Sequence, residues 1–434
     1  MKTLLRRARA RQLEALVGAA LLATVGAVSA ATGEPLTLDA ATSLAVANQP
    51  LLDAQRHAVT AARESAVAAS RLPDPVLVGG VSDVMLGGPE RYTLSGEGET
   101  QTMLGIKQSF PGGGERRWLG KRGDAQAAQM AAELDEQTRM VRREAALAWL
   151  EVWQAVRAQQ LLGQSIAEAE REQQATDIAY RAGRAGQADV LASRVSVELL
   201  QDQLAGMAQD EWHARNSLRR WIGADADRPI DLALPRLATP PDEATLIAAL
   251  ERHPHLTAQG AAVDVARAEV EIARADYVPD WSVELAYGYR PDLEDMATLQ
   301  FEVGLPVFRR NRQDRQVASR SAELARAESL RDDWLRQHRA HVALNVADWN
   351  RLQQRFRRYD EFILPQSQQR LDAALAAYGA GRGMLMPVIE ARRSLLEIRM
   401  QRLDLELDAA RHEVELQYFA AHGAAHGPET GDTP

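Results

Sequence analysis

The chain has 434 residues, a formal net charge of −9 and no cysteine. Without cysteine we expect no disulfides, no thiolate metal ligands, no thiol nucleophile and no lipid anchor attached through an N-terminal cysteine. The acidic balance argues against nucleic acid as a partner, because phosphate binding requires a basic surface.

The first element in chain order, residues 1–30, is predicted to be a secretory signal peptide. Five basic residues among the first eleven precede an apolar stretch from Leu16 to Val28, and Val28-Ser29-Ala30 offers small residues for cleavage. The apolar stretch is short for a bilayer span, and the alternative interpretation is an N-terminal anchor helix. Cleavage would remove five positive charges and one negative charge, leaving a formal charge of −13.

The chain contains an internal duplication. AYRAGRAGQADVLASR begins at Ala179 and AYGAGRGMLMPVIEAR begins at Ala377, with seven of sixteen positions identical at an offset of 198. Three further pairs of similar segments keep the same order along the chain: ANQPLLDAQ with ERHPHLTAQ, RLPDPVLV with YVPDWSVEL, and IKQSFPGG with VGLPVFRR. We therefore predict a first repeat (31–222), a Pro-rich connector (223–244), a second repeat (245–421) and a flexible tail (422–434).

Each repeat is predicted to contain a leading helix, two strands, a very long helix, a turn and a closing helix. The leading helices are expected at Leu38–Leu72 and Glu243–Tyr277. Long helices are expected at Glu115–Ala182 and across Val307–Tyr378, and about 70 helical residues span on the order of 100 Å. Apolar residues recur every seven positions in both long segments: Leu134, Val141, Ala148 and Ala155, then Leu335, Val342, Trp349 and Phe356.

The predicted lengths also give a layout. The leading helix and the closing helix of the first repeat, Gln187–Trp221, together have about the length of the long helix between them. Two short helices placed end to end would therefore lie along one long helix. This arrangement puts the strands at one end of a rod and the repeated turns at the other end.

The strand segments of the second repeat have one apolar face. Trp281–Arg290 and Thr298–Phe308 alternate apolar with polar or small residues over about ten positions, the length of a transmembrane strand. The first-repeat strands, near Val76–Leu86 and Tyr92–Phe110, alternate less clearly. A half-buried sheet in a soluble protein is the alternative. Four strands cannot close a barrel, so a membrane sheet of this kind requires several chains.

The order of these features resembles the outer-membrane efflux proteins, the TolC-like family. The resemblance covers essentially the whole mature chain and includes LPDP, FPGGGERR, ILPQSQQRLDAALAAYGAGR and LLEIRMQRLDLE. It implies a mainly α fold with a small β part. Three copies would form an α-barrel of long coiled-coil helices continuous with a shared 12-stranded β-barrel. It also implies the outer membrane of a Gram-negative bacterium, a large periplasmic part, a periplasmic adaptor and an inner-membrane transporter.

On this resemblance the repeated segment is the periplasmic tip, where each helical hairpin turns. Adaptor docking is implied for Gly183, Arg184, Gly381 and Arg382. A gate that closes the tunnel is implied for Tyr180, Asp189, Arg194, Tyr378, Glu390 and Arg392. The alternative is that these residues serve only to form helical hairpins. In that case the glycines end helices, Asp189 caps the helix that follows the first turn, and Pro387 lies in the first turn of the helix that follows the second. Relatives often carry an acidic residue at the position of Pro387, which leaves Glu390 as the main acid there.

The sequence offers no catalytic motif. P-loop, HExxH and GxSxG patterns are absent from it, so we expect neither catalysis nor a cofactor. His338 and His341 have helical i, i+3 spacing, yet histidines on the helix seam are the more ordinary interpretation, and we predict no metal site. The leading hypothesis is a passive exit duct for efflux or type I secretion. The main alternative is a soluble periplasmic coiled-coil adaptor or scaffold. GGGERR resembles metal-efflux members, and the cargo, metal ions or drugs, stays open.

Overall fold

The computed structural model describes residues 34–88, 91–92, 100–234, 242–290 and 293–420. The predicted signal peptide (1–30) and the predicted tail (422–434) lie outside these residues. The first half contains α1 (Leu38–Asn48), α2 (Pro50–Ala69), β1 (Val76–Ser82), β2 (Gln101–Phe110), α3 (Glu115–Arg181) and α4 (Gln187–Ile222). The second half contains α5 (Glu243–Leu250), α6 (Pro254–Ala275), β3 (Trp281–Tyr289), β4 (Met296–Val303), α7 (Gln313–Arg358), α8 (Leu364–Gly379) and α9 (Met386–Phe419).

Each leading helix is broken by a proline, which corrects the prediction of one continuous helix per repeat. Pro50 begins α2 and Pro254 begins α6. The preceding residues, Gln49 and His253, have extended backbone conformations with ψ of 112° and 135°. A proline disfavours the helical conformation of the residue before it, because its ring clashes with that residue. The helical periodicity continues across each proline, so periodicity alone does not show this break.

The long helix α3 organises the packing. It has 67 residues and is therefore on the order of 100 Å long. The helices α1 and α2 and then α4 lie along it, as the predicted lengths required, and α6 and α9 of the second half also pack against it. Val141 and Ala148 of the predicted heptad pattern are buried, and so are Ala145 and Val152, which lie between its positions. None of the helices in the described residues is long and apolar enough to cross a membrane.

The segment before α1 and the connector are held on α3 by two tryptophans that the heptad pattern does not reveal. Trp149 and Trp153 are the largest fully buried side chains. The Trp149 indole N–H donates to the Leu36 carbonyl oxygen over 2.9 Å, and the Trp153 indole N–H donates to the Leu232 carbonyl oxygen over 3.1 Å. Leu36 also forms a parallel β-bridge with Ile230. The segment before α1 and the connector therefore lie side by side on the same part of α3.

The second long helix contains a widened turn. α7 begins at Gln313, after a short 3₁₀ turn, rather than near Val307 as predicted. Between α7 and α8 lies one π-helical turn, Tyr359–Ile363, closed by the Leu364 N–H donating to the Tyr359 carbonyl oxygen. Pro365 follows at once, and its ring would clash with a carbonyl in a regular α-turn. The wider turn accommodates the proline while the helix continues.

The four strands form one antiparallel sheet in the order β1-β2-β3-β4, and each strand is shorter than predicted. β4 ends at Val303: the Gly304 N–H makes one further bond in register, to the Asp280 carbonyl oxygen, and Pro306 then has no N–H to donate to the ladder. β1 ends before Asp83, which has a left-handed φ of 59°. The predicted strands extend past these residues because the apolar–polar alternation continues beyond them.

Candidate functional site

The first interhelical turn joins α3 to α4 at one end of the rod. The Gly183 N–H donates to the Tyr180 carbonyl oxygen over 2.9 Å, and the Arg184 N–H donates to the Ala179 carbonyl oxygen over 2.8 Å. Gly183 has φ of 70°, which glycine adopts without strain. These two bonds are the Schellman pattern, which satisfies the last carbonyls of a helix.

The second turn, between α8 and α9, repeats this geometry. The Gly381 N–H donates to the Tyr378 carbonyl oxygen over 2.9 Å, and the Arg382 N–H donates to the Ala377 carbonyl oxygen over 3.0 Å. Gly381 also has φ of 70°. The sequence similarity of the two turns therefore corresponds to one shared backbone structure, in which Arg184 and Arg382 are exposed.

The helices that leave the turns start in different ways. In α4 the Asp189 carboxylate accepts the Gly186 N–H over 3.1 Å, so the predicted cap acts from the third helical residue. In α9 Pro387 is the second residue, a position that tolerates its missing N–H. Tyr180 and Glu390 are exposed on the flanking helices.

Arg392, one of the predicted gate residues, is buried between helices. Only 8% of the residue is exposed. One guanidinium nitrogen lies 2.6 Å from a Glu168 carboxylate oxygen, and a second lies 3.1 Å from a Glu172 carboxylate oxygen. Burial raises the pKa of Glu172 above its ordinary value, and the charge of Arg392 only partly offsets this. Arg392 therefore ties α9 to α3, joining the two halves of the chain.

A second contact between the halves lies nearer the turns. The Tyr378 hydroxyl is 3.4 Å from the Thr176 hydroxyl, which is fully buried. By contrast, Arg194 stays within its own hairpin, with a guanidinium nitrogen 3.3 Å from an Asp177 carboxylate oxygen. Tyr378, Arg194 and Arg392 are marked by the repeated segment, but their partners on α3 are not. Glu168 and Glu172 have i, i+4 spacing, which places them on one face of α3 but does not indicate the helix that this face contacts.

The sheet has one exposed apolar face. Pairing register aligns four residues across all strands in one row: Leu77, Ile106, Leu285 and Leu299. Each of them is 57–69% exposed. A wide apolar surface of this kind requires a partner that is not water.

Aromatic residues border this apolar face. Toward the helices, the next-but-one row contains Phe110, Trp281 and Val303, with the Phe110 and Trp281 rings stacked at 4.2 Å. Tyr287 and Tyr289 lie on the same face toward the far end. Aromatic rims at both borders of an apolar band are typical of strands that span a membrane.

The opposite face of the sheet is mostly polar or small, and its larger apolar residues lie on the outer strands or at the far end: Val76, Val78, Met103 and Met296. One row contains Lys107, Glu284 and Gln300, and the Lys107 ammonium pairs with Glu302 in the next row. Gly105 lies against Ala286 so closely that a Cβ at residue 105 would be 2.7 Å from the Ala286 Cβ. This face suits an aqueous interior, while the other face suits lipid.

The histidines that sequence spacing singled out belong to an aromatic cluster. The His338 ring stacks on Trp334 at 3.9 Å, and its Nδ1 lies 2.9 Å from the Trp334 carbonyl oxygen. The nearby His253 is buried, and burial lowers its pKa to about 4. In the part of the chain that the structure describes, no group of three or more acidic or histidine side chains could hold a metal ion. Packing accounts for His338.

The comparison with known families decides the identity. The profile of the outer membrane efflux protein family matches residues 41–224 and 246–421, which is most of the chain and includes both turns and all four strands. The chain belongs to this family.

Individual members of the family are distant relatives of the chain. It is 27% identical over 378 residues to the cobalt-zinc-cadmium resistance protein CzcC of Cupriavidus metallidurans, covering 85% of this chain and 86% of that protein. The solved structure of CusC superimposes with a TM-score of 0.76 at 17% identity, covering 88% and 92% of the two chains. VceC from Vibrio cholerae gives 0.73 at 18% identity, covering 88% and 95%. The structural likenesses establish a shared fold.

As an outer membrane efflux protein, the chain is a channel protein of the outer membrane that serves export. Its two distinctive regions lie at opposite ends of the rod, as the helix lengths predicted. The sheet offers an apolar face to lipid, and the turns offer exposed arginines. Near the turns, Arg392 and Tyr378 link the two halves of the chain.

Proposed function

We propose that three copies of this outer membrane efflux protein form one passive duct. The observation that carries the proposal is the sheet with one exposed apolar face and one polar face. In a single sheet β1 and β4 have unpaired edges, and lipid cannot satisfy unpaired backbone groups. Pairing β4 of one copy with β1 of the next would close a barrel of about twelve strands. The helices would then continue the wall into the periplasm.

We further propose that the two glycine turns are the docking points for a periplasmic adaptor. The support is their shared Schellman geometry, which presents Arg184 and Arg382 at equivalent, exposed positions. An inner-membrane transporter would supply the energy for export through this adaptor. Six residues near the turns would regulate the width of the tunnel: Tyr180, Asp189, Arg194, Tyr378, Glu390 and Arg392. In this view Arg392 and Tyr378 act by holding the two hairpins together.

For the cargo we propose divalent metal cations. The support is the similarity to CzcC, whose name describes resistance to cobalt, zinc and cadmium, over most of both chains. Deleting the gene that encodes this protein should lower the concentration of these metals that the bacterium tolerates. It should leave the tolerance of uncharged dyes and antibiotics unchanged. The reverse pattern would assign the duct to organic compounds instead.

The architecture is tested by the mass of the mature protein, expected to begin after residue 30, extracted from isolated outer membranes. Light scattering with the detergent contribution subtracted should give three copies, found in the outer-membrane fraction. A monomer or dimer in the soluble periplasmic fraction would contradict the duct and favour the coiled-coil scaffold. In that case the apolar face of the sheet would require a protein partner in place of lipid.

A further inference from the structure

The segment that follows β4 is apolar and exposed, although it belongs to neither a strand nor a long helix. Leu305, Val307 and Phe308 are each 70–74% exposed, among the highest values for large apolar residues in this structure. Together with the residues up to Asn311 they line an open concavity of about 650 Å³. Burying such side chains in an apolar medium is favourable, because it removes their surface from water.

The same segment ends in a concentration of positive charge. Arg309, Arg310 and Arg312 are exposed, and Arg309 and Arg310 line the concavity beside the apolar side chains. Among the described residues none of the three has a carboxylate within ion-pair distance, and the next paired arginine along α7 is Arg320. The nearest acid in sequence, Asp314, accepts the Tyr277 hydroxyl. The three guanidinium groups are therefore available to an external anion.

The position of this segment relative to the sheet is fixed. The Gly304 N–H bonds to the carbonyl oxygen of Asp280, the residue before Trp281, so the chain leaves β4 beside the start of β3. This border is the row of Phe110, Trp281 and Val303, in which Phe110 and Trp281 form the aromatic rim. The apolar segment and then the arginines therefore lie just beyond the helix-side border of the face assigned to lipid.

We propose that this segment binds the inner leaflet of the outer membrane through anionic phospholipids. Leu305, Val307 and Phe308 enter the boundary between headgroups and acyl chains, while Arg309, Arg310 and Arg312 bind headgroup phosphates. Guanidinium suits phosphate because it donates two parallel hydrogen bonds and is weakly hydrated. The inference rests on the proposed function, because it requires the sheet to span the outer membrane.

The other exit from the sheet has the same chemistry. After β2, Trp118 lies under Lys121 and Arg117, at 4.3 Å and 5.6 Å from the ring centre. Aromatic and basic side chains together are characteristic of a membrane–water border. Both exits of the sheet toward the helices, after β2 and after β4, therefore carry exposed or aromatic-stacked basic side chains. Charge complementarity favours an anionic lipid as the occupant.

Native mass spectrometry of the purified protein in non-ionic detergent tests the proposal. The probes are dioctanoyl phosphatidylglycerol, which is anionic, and dioctanoyl phosphatidylcholine, which is zwitterionic. The test variant replaces the three arginines together: Arg309→Gln, Arg310→Gln and Arg312→Gln. The matched control removes the same charge from exposed positions farther along α7: Arg326→Gln, Arg331→Gln and Arg336→Gln.

The unaltered protein should bind phosphatidylglycerol more tightly than phosphatidylcholine. Each basic residue near an anionic lipid surface contributes roughly a factor of five in affinity. The test variant should therefore bind phosphatidylglycerol at least about tenfold more weakly, and the control variant should bind it as the unaltered protein does. Equal binding by all three would overturn the proposal, and so would displacement of the lipid by an equal concentration of inorganic phosphate.

The same spectra separate this inference from the proposed function. A trimer whose lipid binding ignores the three arginines would refute only the lipid site. A soluble monomer without a detergent belt would refute the duct itself, and the lipid site with it. A trimer that loses phosphatidylglycerol in the test variant alone would support both.

Discussion

Arg194 and Arg392 occupy corresponding positions of the repeated segment, 198 residues apart, yet only Arg392 is buried between the two halves of the chain. Arg194 pairs with Asp177 of its own hairpin, whereas Arg392 reaches Glu168 and Glu172 on α3. The repeated sequence thus provides the same residue twice, and packing gives the two residues different partners. This asymmetry distinguishes a residue that joins hairpins from one that stabilises a single hairpin.

Replacing Arg392 with methionine should weaken the contact between the hairpins. The substitution keeps most of the side-chain volume but leaves two carboxylates, one of them buried, without their cation. Removing one partner of a buried ion pair costs about 3–5 kcal/mol, and the partial exposure of Glu168 reduces this to about 2 kcal/mol here. We expect a melting temperature lower by several degrees and a larger single-channel conductance in planar bilayers.

Arg393→Met is the matched control for this substitution, because Arg393 is the next residue and is exposed. It should change neither the melting temperature nor the conductance measurably. Equal behaviour of the two variants would show that the ion pairs of Arg392 do not hold the hairpins together.

The glycine turns make a prediction with opposite signs at two neighbouring glycines. Gly381 has a left-handed φ of 70°, and a Cβ there would meet no other atom, so Gly381→Ala introduces backbone strain alone. We expect a destabilisation of about 1 kcal/mol. Gly379 lies in the last turn of α8 and also has open space, so Gly379→Ala should stabilise the hairpin by about 0.5–1 kcal/mol. Thermal unfolding of both variants measures this, and a stabilised Gly381→Ala protein would contradict the turn geometry.

The sequence predicted most of the architecture because repeats, heptads and alternation are local patterns. The structure agrees with the predicted order of elements and with the predicted helix ends at Gly183 and Gly381. It also agrees with the predicted end of β2 at Phe110 and the predicted start of β3 at Trp281. The errors have a common cause. Prolines interrupt the patterns at three places, and the patterns continue beyond them: Pro50, Pro254 and Pro306. A proline restricts the residue before it and removes one N–H, and neither effect appears in the periodicity.

The candidate site was only partly accessible to sequence reasoning. Tyr378 and Arg392 were named because they lie in the repeat, but their partners Thr176 and Glu172 carry no mark of their own. Which helix face meets which other helix is set by packing over more than 200 residues of sequence separation. Periodicity predicts which face of a helix is buried, but it does not indicate which residues of another helix pack against that face.

The assignment of the two sheet faces leads to a prediction about membrane assembly. Leu285 lies in the central row of the exposed apolar face, so Leu285→Arg should place a charge in the lipid. In a membrane β-barrel such a substitution costs about 2–4 kcal/mol near the bilayer centre. The variant should reach the outer-membrane fraction in clearly reduced amounts. Gln300→Arg introduces the same charge on the opposite, polar face of β4 and should assemble normally. Equal assembly of both would contradict the assignment of the faces.

A buried acid in α9 gives the protein an unusual pH dependence. Glu413 is 4% exposed, and burial raises its pKa to about 7 although Gln417 donates a hydrogen bond to it. Between pH 4.5 and 7 the folded state then binds more protons than the unfolded state, so this group lowers stability as the pH rises. A shift of this size corresponds to about 3 kcal/mol above pH 8. His253 acts in the opposite sense, because burial lowers its pKa and its contribution is lost as the pH falls below 6.5.

Glu413→Gln separates these opposing effects. The amide is neutral at every pH, so the variant should be more stable than the unaltered protein at pH 8 and similar to it near pH 5. Its remaining pH dependence should include the rise in stability between pH 4 and 6.5 that His253 contributes, partly offset by Glu172, whose pKa burial also raises. Thermal unfolding in detergent at half-unit pH steps measures both trends. Glu397→Gln, at an exposed position of the same helix, removes an equal charge and serves as the control. A parallel shift of the Glu413→Gln and unaltered curves at all pH values would show that Glu413 is already ionised in the folded protein.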